Sequence, residues 1–266
     1  MNTIKIAIVQ MENNIEDVKK NVQKTICYIE EAAKNNAKYI AFGECALTGY
    51  TSDANKLKTI NFDDDIFISL IDACMRNKVT LFTGANLSID DKIYNSYIMI
   101  KATGEKEIYH KSHLGKKESL IFEKGGNLNS FETSDAIFGT AICIESHIPE
   151  MFLSHSIRGA EVMLLPFASP INCGGRKDIW NKYIPSRGYD FSQYIICMNL
   201  TGVSYGLLYD GGVMVTDPKG NVIYENYDRE EKMAVVTLNN VKINKIRNKD
   251  SKVNYIARRR VELYQI

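Results

Sequence analysis

The chain is short of several things, and each shortage closes off a class of function. Its six cysteines, at 27, 45, 74, 143, 173 and 197, follow no regular spacing. Neither a disulfide framework nor a C-x-x-C zinc or redox site is therefore expected, and the thiols should be free. Neither sign of charge is in excess. The 33 basic and 32 acidic residues leave a formal net charge of +1, which gives no bulk attraction for nucleic acid or an anionic membrane. No apolar run is long enough to span a bilayer, and the opening MNTIKIAIVQ enters a strand pattern without a signal-peptide core. No membrane partner and a cytoplasmic location are expected on that basis. No internal repeat, low-complexity segment or linker interrupts the chain, which argues against a solenoid or a string of modules.

What is present is a full-sized core. With 266 residues, 45% of them hydrophobic, the chain can form one large α/β domain over residues 1–266. Alternating and buried apolar runs predict strands at 3–9, 38–42, 79–85, 93–101, 105–109, 161–165, 194–199, 212–216, 222–224 and 233–238. Helical periodicity covers 15–35, with Val18, Val22, Ile26, Ile29 and Ala33 on one face, and a second helix runs to residue 77. Asp63, Asp64 and Asp65 read as solvated charges at the start of that second helix, where acidic groups complement the dipole. A third helical pattern spans 178–193, kinked or shortened by Pro185 and Gly188.

The chemistry centres on 136–149, AIFGTAICIESHIP. An apolar run ends in Cys143, the chain turns polar at Glu145, Ser146 and His147, and Pro149 opens a helix. A thiol at such a strand-turn-helix junction stands exposed beside free backbone N–H groups that could bind an oxyanion. A buried structural cysteine is the ordinary alternative, because free Cys is among the most buried residue types. Two further groups sit where predicted strands end: Glu44 after 38–42 and Lys111 after 105–109. His110 and His113 flank Lys111 without a third ligand cluster, so no metal is expected. His147 lies beyond the turn and reads as pocket wall or cap, and His155 has no evident chemistry.

The segments FGECALTGY, YHKSHLGKKESLIFEKG, GTAICIESHIPE and GAEVMLLPFA, in this order, resemble the signature blocks of the nitrilase superfamily of carbon–nitrogen hydrolases. The likeness extends from KIAIVQ through GGVMVTDPKGNVI to RRVELY. It implies a single-domain α-β-β-α sandwich, usually paired into homodimers or larger homo-oligomers through the helical face carrying the nucleophile, with no cofactor. It implies Cys143 as nucleophile, Glu44 as base, Lys111 as cation and oxyanion donor with the N–H of Ile144, and Glu118 as the acid that orients Lys111 and substrate. Tyr50, Glu145, Ser146, His147 and the loop from Phe167 to Arg176, with Ala168 in it, are then expected to line the substrate pocket. An ammonium beside Cys143 should favour thiolate, so mild alkylation is expected to reach Cys143 first among the six thiols.

The chain departs from the family pattern at Gly43 (commonly Pro), Glu145 (often Asp), Val213 and 185–190, where Asp190 replaces a glutamate. The expected reaction is hydrolysis of a small amide or N-carbamoyl compound through a Cys143 acyl-enzyme. A nitrilase using the same residues on a cyano group is the close alternative, and a catalytically silent scaffold of the same fold the distant one.

Overall fold

The computed structural model of the chain describes residues 3–15, 17–204, 206–248 and 250–264. Two sheets face each other across an apolar core. The first has the order Lys232–Asn239, Thr3–Gln10, Tyr39–Phe42, Thr80–Ile89, Lys92–Ile100, Lys106–His110, with the short strand Ile60–Asn61 also pairing with Thr80–Ile89. The second has the order Val222–Asn226, Val213–Thr216, Tyr194–Asn199, Val162–Phe167, Ile137–Thr140, Phe131–Glu132. The strands from 3, 39 and 80 run parallel, as do those from 137, 162 and 194; Ile60–Asn61 also pairs parallel, while the other outer strands are antiparallel.

The period-2 geometry of a strand sorts its side chains between layers. Ile4, Ile6, Ile8, Tyr39, Ala41, Phe82, Tyr97 and Met99 join the second sheet in the central core. Their neighbours Ala7, Val9, Ile40, Phe42, Leu81, Ile98 and Ile100 pack with Val22, Ile29, Phe67 and Leu70 from helices Val18–Lys34 and Asp65–Asn77. On the outer side of the second sheet lie helices Pro149–Ile157 and Ile184–Phe191, whose Met151, Phe152 and Ile184 enter the same core. The result is the expected α-β-β-α order, with each buried Leu, Ile or Phe stabilising it by about 1.5–3 kcal/mol.

Local signals place the helix starts. Asp17 caps the first helix through the N–H of Lys20 at 3.0 Å, and Asp64 caps the second through that of Ile66 at 3.0 Å. Residue 16, within the helix expected from 15, lies outside the described residues, as do the ends of the 1–266 span at 1–2 and 265–266.

Three features differ from the sequence reading. The pattern over 178–193 is two helices, Arg176–Trp180 and Ile184–Phe191. Pro185 sits in the first turn of the second, where its missing N–H has no helical acceptor to lose. The strand before the thiol ends at Thr140, so Cys143 opens a 3-10 turn, Cys143–His147, instead of closing the strand. The hairpin Thr201–Ser204 with Leu207–Asp210 and the helix Asn240–Arg247 carried too little periodicity to be read.

Candidate active site

Glu44 leaves the strand Tyr39–Phe42 on a tight turn in which Cys45 takes φ +51°. Gly84 makes room for it: a Cβ there would stand 2.3 Å from the Cys45 nitrogen. The turn is tied to the second sheet by the N–H of Glu44, which donates to the Phe167 carbonyl at 3.3 Å. Both carboxylate oxygens of Glu44 are engaged. Oε2 accepts from the N–H of Ala168 at 2.9 Å, and Oε1 from Asn95 Nδ2 at 2.7 Å and Lys111 Nζ at 2.8 Å. Asn95 Oδ1 lies 3.7 Å from Cys45 Sγ, whose nearer acceptor is Asn86 Oδ1 at 3.1 Å.

Lys111 follows the strand Lys106–His110 and is pinned by backbone bonds from its N–H to Asn95 O at 2.8 Å and from Gly125 N–H to its carbonyl at 2.9 Å. Its ammonium also donates to Glu118 Oε1 at 2.7 Å, while Glu118 Oε2 accepts from Gly115 N–H at 2.7 Å. Glu44, Lys111 and Glu118 are all buried, at 1%, 1% and 5% exposure, so each is a charge that depends on the others for stabilisation. Burial raises the Glu44 carboxyl above its ordinary value, against the pull of the Lys111 ammonium. Burial alone would lower Lys111, but Glu44, Cys143 and Glu118 raise it well above the usual lysine value.

Cys143 is half-buried and adopts φ +50°, the sharp turn that lifts its side chain off the strand direction. Its Sγ lies 3.4 Å from Ser169 Oγ. Burial and the nearby Glu44 carboxylate push the thiol up to about 12, outweighing Lys111 and the Ser169 contact. The expectation of a resting thiolate is thereby corrected: in the low-dielectric site, desolvation of a sulfur anion outweighs one ammonium already shared by two carboxylates. Cys27 and Cys173 are the exposed thiols, so a general alkylating reagent meets them before Cys143.

The other expected pocket residues divide. Tyr50 is partly buried, and that burial raises its phenol, with smaller contributions from Glu44, Glu118 and Cys143. Ala168 supplies its N–H to Glu44. His147 is exposed, its ring 4.5 Å from that of Tyr183, and burial with Arg176 and Arg187 lowers its pKa. Ile144, at the start of the 3-10 turn, has one of the N–H groups that such a start leaves without an intrahelical acceptor.

Glu145 and Ser146 are turned inward and fully buried, which corrects their expected place on the pocket wall. Ser146 Oγ donates to the Cys143 carbonyl at 2.6 Å and meets Tyr183 OH at 2.8 Å. Both oxygens of Glu145 are taken by protein donors. A short 3-10 turn has few outward positions, and two of these side chains instead close the turn on itself. Sequence reasoning missed Asn95, and reached Ser169 only as a member of the loop 167–176, without its contact to Cys143. The only signal for Asn95 was a polar residue inside a strand, and for Ser169 its place directly after the block ending in Ala168. Among the described residues no group of three potential metal ligands assembles, and no helix is long and apolar enough to cross a membrane.

The carbon–nitrogen hydrolase family model matches residues 5–248. A probable nitrilase of Schizosaccharomyces pombe is 28% identical over 242 residues, 87% of this chain and 86% of that protein. An omega-amidase of Saccharomyces cerevisiae is 26% identical over 248 residues, 86% and 84% of the two chains. The crystal structure of an amidase from Nesterenkonia sp. superposes with a TM-score of 0.81 at 21% identity, covering 98% of this chain and 94% of that one. With the family match spanning nearly all of the sandwich, the chain belongs to the carbon–nitrogen hydrolases of the nitrilase superfamily.

Proposed function

We propose that the protein hydrolyses a small amide or N-carbamoyl compound through an acyl-enzyme on Cys143. One observation carries the reading: a buried Glu44–Lys111–Glu118 array lies within electrostatic reach of a half-buried thiol held on a left-handed turn. Because the resting sulfur is protonated, Glu44 takes its proton as the Cys143 sulfur attacks the carbonyl carbon. Negative charge then develops on the carbonyl oxygen, where the Lys111 ammonium and the N–H of Ile144 act as donors. Glu44 returns the proton to the leaving nitrogen, the C–N bond breaks, and ammonia or an amine departs, leaving a thioester. Water activated by the same carboxylate adds to the thioester, the C–S bond breaks, and acid and thiol are restored.

Glu118 fixes the position of Lys111 through its Oε1 while its own Oε2 is anchored to the backbone of Gly115. Every proton in the cycle is carried by Glu44 and every developing charge meets an existing donor, so the reaction is written without a cofactor. A nitrile is the second reading, supported by the relative named as a probable nitrilase. The thiol would add across the C≡N bond to give a thioimidate; water would then add to its carbon, the C–N bond would break with loss of ammonia, and the same thioester would result.

The test is release of ammonia from a panel of amides, carbamoyl amines and nitriles, with Cys143→Ser and Glu44→Gln measured beside the parent enzyme. We expect turnover of amides or carbamoyl compounds, and a loss of about 10²–10⁴-fold in the Glu44 variant. A folded protein without turnover on any of the panel would contradict the reading.

A further inference from the structure

The fully buried carboxylate of Glu145 is the centre of a five-donor array that joins the two halves of the site. Its Oε1 accepts from Tyr109 OH at 2.7 Å, Ser112 N–H at 2.8 Å and His113 N–H at 3.0 Å, with Ser112 Oγ at 2.8 Å. Its Oε2 accepts from the N–H of Ile142 at 2.8 Å. The first group belongs to the segment around Lys111, at the edge of the first sheet; Ile142 directly precedes Cys143, at the end of a strand of the second. Among the described residues no lysine or arginine pairs with Glu145, and only the partly exposed His113 ring comes near, at 3.5 Å. An acceptor-only group meets the backbone N–H and phenol donors in full, which a carboxylate does and an amide does not.

We propose that Glu145 is a positioning residue that sets the spacing between Lys111 and Cys143. Each half-site is rigid within its own sheet, but nothing within a single sheet fixes the distance from ammonium to sulfur. Glu145 bridges the gap with backbone bonds to the residue on one side of Cys143 and the two residues following Lys111. Hydrogen bonds to a charged acceptor are among the stronger ones, and a misplacement of about 1 Å in such a site costs about 10²-fold in rate. The inference rests on the roles of Lys111 and Cys143 proposed above.

Glu145→Gln severs the bridge with almost no change in volume. Its single carbonyl oxygen can remain with the Tyr109 and Ser112 side, which turns the amide NH₂ against the Ile142 N–H. Glu145→Asp keeps both acceptors on a stem one methylene shorter. We expect kcat to fall about 10²-fold in Glu145→Gln with KM nearly unchanged, and Glu145→Asp to recover part of that loss. The rate at which fluoroacetamide alkylates Cys143, read on the peptide that contains Cys143 after digestion so that Cys27 and Cys173 are scored separately, should fall in the same order. In that reaction the S–C bond forms, the C–F bond breaks and the thiol proton leaves with fluoride. It therefore reports on the nucleophile even if the hydrolytic substrate is wrongly chosen.

Parent-level kcat and alkylation rate in Glu145→Gln would overturn the inference, as would a loss carried wholly by KM. If Glu145→Gln does not fold, Tyr109→Phe decides. It removes one donor from Oε1 and keeps the ring, and a several-fold fall in kcat at constant KM supports the bridge, whereas an unchanged kcat overturns it. Turnover that survives in Cys143→Ser would instead count against the proposed nucleophile.

Discussion

A thiol held at about 12 beside a carboxylate raised by burial makes Cys143 a nucleophile that is armed only during attack. The proton then moves between two groups whose surroundings disfavour charge on either of them. The pH dependence follows with a definite sign. Glu44 must be ionised to act as base, and its pKa lies above the ordinary 4.5, so the acid limb of kcat/KM should sit above pH 4.5. Lys111 is raised well above 10.5, so the loss of its charge should not appear below that pH. An acid limb at or below 4.5, or an alkaline loss near neutrality that follows Lys111, would contradict these assignments. Glu44, Lys111 and Cys143 drew attention by standing where apolar runs end and Glu118 through the family resemblance alone; the structure brings Glu44, Lys111 and Glu118 into contact. The protonation state of Cys143 was not legible, because it depends on how many carboxylates share the one ammonium, a three-dimensional fact. Asn95 was hidden for the same reason: nothing within the strand Lys92–Ile100 says which polar residue meets Glu44.

At the scale of elements, the nucleophile depends on a close crossing of strand and helix. A Cβ on Gly139, in the strand Ile137–Thr140, would stand 2.4 Å from Met163 Sδ and 2.7 Å from the ring of His155 on the helix Pro149–Ile157. His155 is fully buried and anchored through Nδ1 to Ser130 Oγ at 2.9 Å, so it has little freedom to yield. Gly139→Ala should therefore destabilise the fold by about 1–3 kcal/mol and lower activity by shifting the strand that carries the thiol turn. Thermal unfolding and ammonia release on one sample check both, and an unchanged midpoint would show that the helix yields freely. This crossing gives His155 a packing role that sequence periodicity could not reveal. Most strands and the first two helices were legible from period and capping. The break in 176–191 was legible only as a kink, because Pro185 marks a helix start as well as it marks an interruption.

For the whole molecule, the sandwich is the device that makes the site. Glu44, Lys111 and Glu118 come from loops of the first sheet, and Cys143, Ala168 and Ser169 from strand ends of the second. The two meet through the Glu44 N–H on Phe167, the Ala168 N–H on Glu44 and the Glu145 bridge. The layer order was legible in outline from alternating strands and helices together with the family resemblance. Which strand faces which, and hence which backbone amides reach Glu44, emerged only from the fold.

A covalent acyl group on Cys143 is tested most directly by rapid-quench intact-mass analysis and peptide mapping during turnover of a small primary amide. The expected result is a transient adduct equal in mass to the amide less ammonia, confined to the peptide that contains Cys143 and absent from Cys143→Ala. Turnover without an adduct, or an adduct on another cysteine, would contradict it.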